Sequence, residues 1–241
     1  MHVAMWSGPR NLSTAMMYAF AARGDCAVWD EPFYAAYLDR TGLDHPMRQE
    51  ILAAGERDPG KVAVRCTGPV PAGKTHFYQK HMAQHMLPGF ALDWMAEVTN
   101  VFLVRHPARV VASYAAKREQ PTPEDLGFRR LAELFAHAEA LGQAPVVVDS
   151  ADIRDAPGPV LSRLCAAIGL DWTERMLSWP AGGHPDDGVW APHWYGAVHG
   201  STGFAGAEGP LPELDGAYAR LAEDAMAHYA PLRARRLTVA G

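Results

Sequence analysis

A chain of 241 residues, 49% hydrophobic and 20% charged, can bury one substantial core, and no apolar run in it reaches the length of a membrane span. The net charge of −5 argues against a general nucleic-acid binder, although it leaves room for a local basic pocket. Three widely spaced cysteines (Cys26, Cys66, Cys165) make neither a disulfide framework nor a CxxC knuckle, and the first residues lack the basic start of a secretory leader, so a single cytoplasmic domain over 1–241 is expected.

The first predicted element is a strand over 2–6, an apolar run that ends at Ser-Gly-Pro. A helix over 11–23 follows, with Leu12, Met16, Ala19 and Phe20 on one face and Asn11 as its cap. A second strand covers 26–29 and breaks at Pro32. Strands over 75–79 and 100–104 come next, the latter followed by a helix over 107–117 that opens on a proline. An amphipathic helix over 124–141, a short apolar strand over 145–148 and a helix over 157–168 complete the middle of the chain. The last helix carries Leu214, Tyr218, Leu221, Ala225 and Tyr229 as its apolar stripe. Strands alternating with helices predict an α/β fold of three layers, a central mostly parallel sheet flanked by helices. Ligands in such sheets bind beyond the carboxyl ends of the strands, where the informative residues of this chain cluster. Residues 178–210 differ: eight glycines, four prolines and three tryptophans predict a long loop, either a lid or a surface segment pinned by its own aromatics.

Ser7-Gly8-Pro9-Arg10-Asn11-Leu12-Ser13-Thr14 joins the first strand to the first helix. Such a turn aims free backbone N–H groups and the positive end of a helix at one point, which favours an anion. Arg10 adds a guanidinium that can fork onto two oxygens, and Ser13 and Thr14 add hydroxyl donors. The turn is not a Walker A sequence, because Gly8 is followed by Pro-Arg-Asn-Leu-Ser-Thr and no GK[ST] occurs. An ordinary capped helix after a tight turn would use the same residues. Further on, Arg105 ends the strand over 100–104 and Ser113 lies two turns into the next helix. An arginine at the ligand edge of the sheet, taken with the first turn, predicts a ligand with two separated anionic groups. Pairing of Arg105 with a carboxylate is the alternative.

Together these segments resemble the sulfotransferase superfamily over most of the chain. Arg10-Asn11-Leu12-Ser13-Thr14 is similar to the family's 5′-phosphosulfate loop, and Val104-Arg105-His106-Pro107 with Ser113 to its 3′-phosphate motif. Val146-Val147-Val148-Asp149, Pro157 and Ala167-Ile168-Gly169-Leu170 resemble the family's next strand and helix. The resemblance implies a P-loop fold of the bacterial small-molecule type, with 3′-phosphoadenosine 5′-phosphosulfate (PAPS) as sulfuryl donor and adenosine 3′,5′-bisphosphate (PAP) as product. It implies no metal, and a small-molecule acceptor whose hydroxyl or amine attacks in line. It implies Arg10, Asn11, Leu12, Ser13, Thr14, Arg105 and Ser113 as donor-binding residues. The chain departs from the pattern at Leu12, where a small residue is usual, and at His106, where Asp or Asn is common. The late Arg-Lys-Gly clamp is missing, and His199, Gly200 and Ser201 are the expected replacement.

Sulfuryl transfer needs a base for the acceptor's proton and cations on the departing phosphate. Arg10 is expected to stabilise that phosphate. Glu31, in Trp-Asp-Glu-Pro-Phe at the end of the second strand, is the expected base, since similar sulfotransferases carry a glutamate at a matching place. The rival base is His85, in a segment over 79–85 expected to follow the third strand, with Lys80 on the sulfuryl oxygens. The string Lys74-Thr75-His76 is set aside because it begins that strand. His81 and His85 have the i, i+4 spacing of a helical zinc pair but no third ligand or HExxH glutamate. Phe33, Tyr34 and Tyr37, capped by Trp190, Trp194 and Tyr195, are expected to line an aromatic acceptor pocket. A small-molecule kinase using ATP and a catalytically inactive nucleotide-binding homologue stay open as alternatives.

Overall fold

The computed structural model describes residues 1–116 and 120–239. In chain order the first half holds β1 (His2–Ser7), α1 (Ser13–Ala22), β2 (Cys26–Asp30), α2 (Tyr34–Thr41), α3 (Arg48–Ala54), α4 (Pro59–Thr67), β3 (His76–Met82) and β4 (Thr99–Val104). The second half holds α5 (Pro107–Ala115), α6 (Pro123–Leu126), α7 (Phe128–Ala140), β5 (Val146–Asp149), α8 (Ser150–Asp155), α9 (Pro157–Ile168), α10 (Ala191–Trp194), α11 (Gly196–His199) and α12 (Gly216–Ala234). The strands form one sheet in the order β2-β3-β1-β4-β5, and every pairing is parallel. This is the expected α/β architecture, with a sheet that is parallel throughout.

β1 lies at the centre and is buried on both faces, as its unbroken apolar sequence requires of an interior parallel strand. Its side chains alternate between two cores. Ala4 and Trp6 pack with Phe102, Val110, Leu134 and Tyr229 beneath α4, α5, α7 and α12. Val3 and Met5 pack with Met16, Phe20, Leu103 and Leu161 beneath α1 and α9. The helix after β1 therefore lies on one face of the sheet and the helix after β4 on the other. The crevice between the carboxyl ends of those two neighbouring strands is the topological switch point, where open α/β sheets take their ligands.

Four expectations change. The helix expected over 124–141 is two helices, because Gly127 takes a left-handed φ of 70° and a Thr122–Asp125 capping box starts α6. β3 runs on to Met82, so Lys80 and His81 belong to the strand instead of following it. The helix after β4 ends at Ala115, and residue 117 of that prediction lies outside the described residues. Residues 178–210 are not structureless: α10 and α11 lie there, Ser178 bridges Gly203, and Trp179, Trp190 and Tyr195 are buried. Among the described residues no helix is long and apolar enough to cross a membrane.

Candidate active site

The loop after β1 folds back across the end of β4. Asn11 does not cap α1: its side-chain amide donates to the Leu103 carbonyl at 2.9 Å, and its oxygen accepts the N–H of Leu12. The residue before α1 is Leu12, which offers no side-chain acceptor, so among the described residues no side chain caps the first N–H groups of the helix. Gly8 is required by close approach, since a Cβ there would stand 2.7 Å from the Leu126 carbonyl oxygen. Arg10 takes a φ of 54°, and its guanidinium lies 5.1 Å from the Tyr114 ring and 5.2 Å from the Trp194 ring.

Next to this loop is a buried charge network built by register. Asp30 and Lys80 are paired residues of adjacent parallel strands. The Lys80 ammonium donates to Asp30 at 2.9 Å, to Glu31 Oε1 at 2.7 Å and to the Tyr195 hydroxyl at 2.5 Å. Tyr195 in turn donates to Asp30 at 2.7 Å, and Trp190 Nε1 donates to the Tyr195 oxygen. Burial works against the Lys80 cation, but the two carboxylates outweigh it and hold its pKa above the ordinary lysine value. Burial pushes Asp30 up, with Lys80 opposing. Burial first, then both carboxylates, push the Tyr195 phenol well above its ordinary value, so it stays a donor. Glu31 leaves β2 with a φ of 40°, its N–H donating to the Lys80 carbonyl at 2.9 Å.

The histidines divide. His81 is stacked on Trp6 at 4.4 Å, and burial takes its pKa down to about 3. His85 sits in a 3-10 turn (Ala83–His85), stacked on Tyr34 and Tyr37, with Nδ1 3.8 Å from Glu31 Oε2. Burial drives its pKa well below the ordinary value and leaves it neutral. The helical i, i+4 zinc geometry is thus not realised.

Part of this set faces one cavity of about 390 Å³, whereas Asp30 and His81 lie behind its wall. Arg10, Asn11, Ser13, Thr14, Glu31, Lys80 and His85 all line it, together with the rings of Tyr34, Tyr37, Tyr114, Trp194 and Tyr195. Phe33 and Trp190, expected in the same wall, lie elsewhere. Phe33 packs into the core against Trp94, and Trp190 stands behind Tyr34 and Tyr195. Leu12 turns away and packs against the core under α1.

A second cationic group adjoins the first loop. Arg105 donates to the Arg10 carbonyl at 2.5 Å and also pairs with Glu208. Arg109 and Arg154 reach the same carboxylate at 3.0 and 2.8 Å. Ser113 is half-buried on α5, one turn beyond Arg109. His199, Gly200 and Ser201 are not brought to either group: His199 bonds Asp187, and Ser201 bonds the Val198 carbonyl and the Trp179 indole. Sequence reasoning missed Asp30, Arg109, Arg154 and Glu208. Arg109 alone left a signal, four residues after Arg105 at the start of a helix.

A family model described as a sulfotransferase domain matches residues 1–236. Two curated proteins of Arabidopsis thaliana, named branched-chain-amino-acid aminotransferase-like proteins 2 and 1, are 36% and 38% identical over 200 residues, 83% of this chain. Those residues are 35% and 36% of the plant proteins, so the chain spans about a third of their length. Among solved structures, the sulfotransferase domain from the curacin biosynthetic pathway covers 95% of this chain and 97% of its own, at 15% identity and a TM-score of 0.52. That likeness is one of fold. The chain belongs to the sulfotransferase-domain family.

Proposed function

We propose that the protein transfers the sulfuryl group of PAPS to a hydroxyl or amine of a small-molecule acceptor, with Glu31 as the base. The observation that carries this reading is the convergence of Arg10, the uncapped start of α1 and the Glu31 carboxylate on one cavity, beside three further arginines. These residues fit a doubly phosphorylated donor. The α1 start and Arg10 suit the phosphosulfate end, and the arginine cluster suits a second phosphate. Bound donor supplies the electrophilic sulfur and the bisphosphate leaving group.

The protein's own part is to orient, to take a proton and to exclude water. Lys80 occupies Glu31 Oε1, which leaves Oε2 to take the acceptor's proton. Because the Lys80 ammonium has three protein oxygens around it, we assign it as the positioning residue for Glu31 and not as a ligand of the sulfuryl oxygens. Arg10 remains the group for charge on the leaving phosphate. The rings of Tyr34, Tyr37, Tyr114 and Trp194 give the acceptor an apolar wall and exclude water, which competes with it. The name of the plant relatives puts amino compounds in the acceptor screen.

The test is incubation with sulfur-labelled PAPS and a panel of phenols, alcohols and amines. Labelled product is expected with at least one acceptor. Tight PAP binding without transfer to any of them would move the reading to an inactive nucleotide-binding homologue.

A further inference from the structure

Arg105, Arg109 and Arg154 come from three different elements, the end of β4, the first turns of α5, and α8, yet they converge on one carboxylate. That carboxylate, Glu208, has only 3% of its side chain exposed. Three guanidiniums around one carboxylate leave an excess of two positive charges in the cluster, counted over the described residues. Partly buried cations are costly to leave so, and a phosphate dianion would balance what a carboxylate does not.

Little besides charge holds Glu208 in place. Residues 204–215 form no helix or strand, and Ala205, Gly206, Ala207, Gly209, Pro210 and Leu211 are exposed around it. Among the described residues its polar ties run to the same arginines, and its apolar anchors stand at its two ends, Phe204 against Trp179 and Leu214 against the core. Arg109 donates to the carbonyls of Glu208 and Gly209 at 3.2 and 2.5 Å, and Arg154 to that of Gly206 at 2.9 Å. Withdrawing Glu208 therefore need move only the exposed stretch between those anchors, and it removes the carboxylate that all three guanidiniums share, while Arg105 keeps the Arg10 carbonyl.

We propose that Glu208 is a displaceable occupant of the donor's second phosphate site, and that the phosphate takes over Arg109 and Arg154 as well as Arg105. The inference rests on the donor reading above and adds a selection step to it. A nucleotide carrying the second phosphate exchanges with Glu208, whereas one lacking it does not touch the cluster. Affinity for the former is lowered by the fraction of molecules in which Glu208 is seated.

Titration of wild type, Glu208→Gln and Arg154→Gln with PAP, ADP and inorganic phosphate tests this. Glu208→Gln should bind PAP about tenfold or more tightly and gain phosphate binding, with ADP affinity changed less than about twofold. Arg154→Gln should weaken PAP. On wild type, a glutamate-specific protease should cut after Glu208 faster with saturating PAP than with ADP, a readout that does not depend on a variant folding. Weaker or unchanged PAP and phosphate binding by Glu208→Gln, or equal cleavage with both nucleotides, would make Glu208 a fixed structural partner. A gain of phosphate binding without any preference for PAP over ADP would uphold the displacement and refute the donor.

Discussion

Two non-glycine site residues take left-handed backbone angles, Arg10 at φ 54° and Glu31 at φ 40°. Such conformations cost about 1–3 kcal/mol each and persist where surrounding bonds over-determine them. Here the Asn11 amide on β4 and the Lys80 carbonyl on the Glu31 N–H do so. If Glu31 is the base, Glu31→Gln lowers turnover about 10²–10⁴-fold with little change in nucleotide affinity. A near-wild-type rate would move the base to His85. Lys80→Met leaves Asp30 and Glu31 facing each other without their cation, and should cost about 3–5 kcal/mol in urea unfolding. A loss below about 1 kcal/mol would contradict a structural charge network. The histidines set a pH limit. A histidine depressed by burial takes up its proton only on unfolding, so its contribution is complete above about pH 6.5 and falls as the pH drops. For His81 the loss continues down to its folded value of about 3. Each such group steepens the decline by up to about 1.4 kcal/mol per pH unit. His81→Phe should therefore flatten the fall in melting temperature between about pH 6.5 and 5. An unchanged slope would refute the assignment.

At the scale of elements, the loop after β1 depends on how closely it packs. A Gly8→Ala side chain would meet the Leu126 carbonyl at 2.7 Å, so the loop or α6 must move. We expect a loss of about 1–3 kcal/mol in thermal unfolding, with weaker nucleotide binding. A variant of wild-type stability and affinity would show that the approach is not constraining. β1, β2, β4 and β5 were legible because each is a short, largely apolar run, and α1 and α5 because each follows such a run. β3 was read only in its first half, since Gln79, Lys80 and His81 interrupt the apolar pattern, and α8 between β5 and α9 was not foreseen. Residues 32–75 were not. α2 and α3 bury Tyr34, Leu38, Ile51 and Leu52 against Trp190 and Tyr195, more than a hundred residues away in sequence, so their helical faces have no local explanation. The break at Gly127 was missed because Leu126, Leu131, Leu134 and Phe135 keep one apolar face across it. In the site, Arg10, Ser13, Thr14, Glu31, Lys80 and His85 were readable from strand ends. Asp30 was not, because a buried acid reads like a solvated one until its lysine is placed, and Glu208 because it lies in a segment without periodicity.

The whole molecule divides residues 178–210 into parts of different character. The first part is fastened to the sheet. Asp30 accepts the Gly188 N–H at 3.0 Å, and Asp187 accepts the Tyr18 hydroxyl at 2.6 Å and the His184 N–H at 2.9 Å. Protease sensitivity over 178–199 should be the same with and without nucleotide, whereas that after Glu208 should change. Nucleotide-dependent cleavage in the fastened part would restore the lid reading. The central claim is the donor, and thermal shift with PAP beside ADP and ATP–magnesium tests it most directly. A ligand at 100 times its dissociation constant adds about 2.7 kcal/mol, roughly 5–11 °C for a chain of this length. The account predicts that shift for PAP alone. A shift for ATP–magnesium alone would contradict it and point to a kinase.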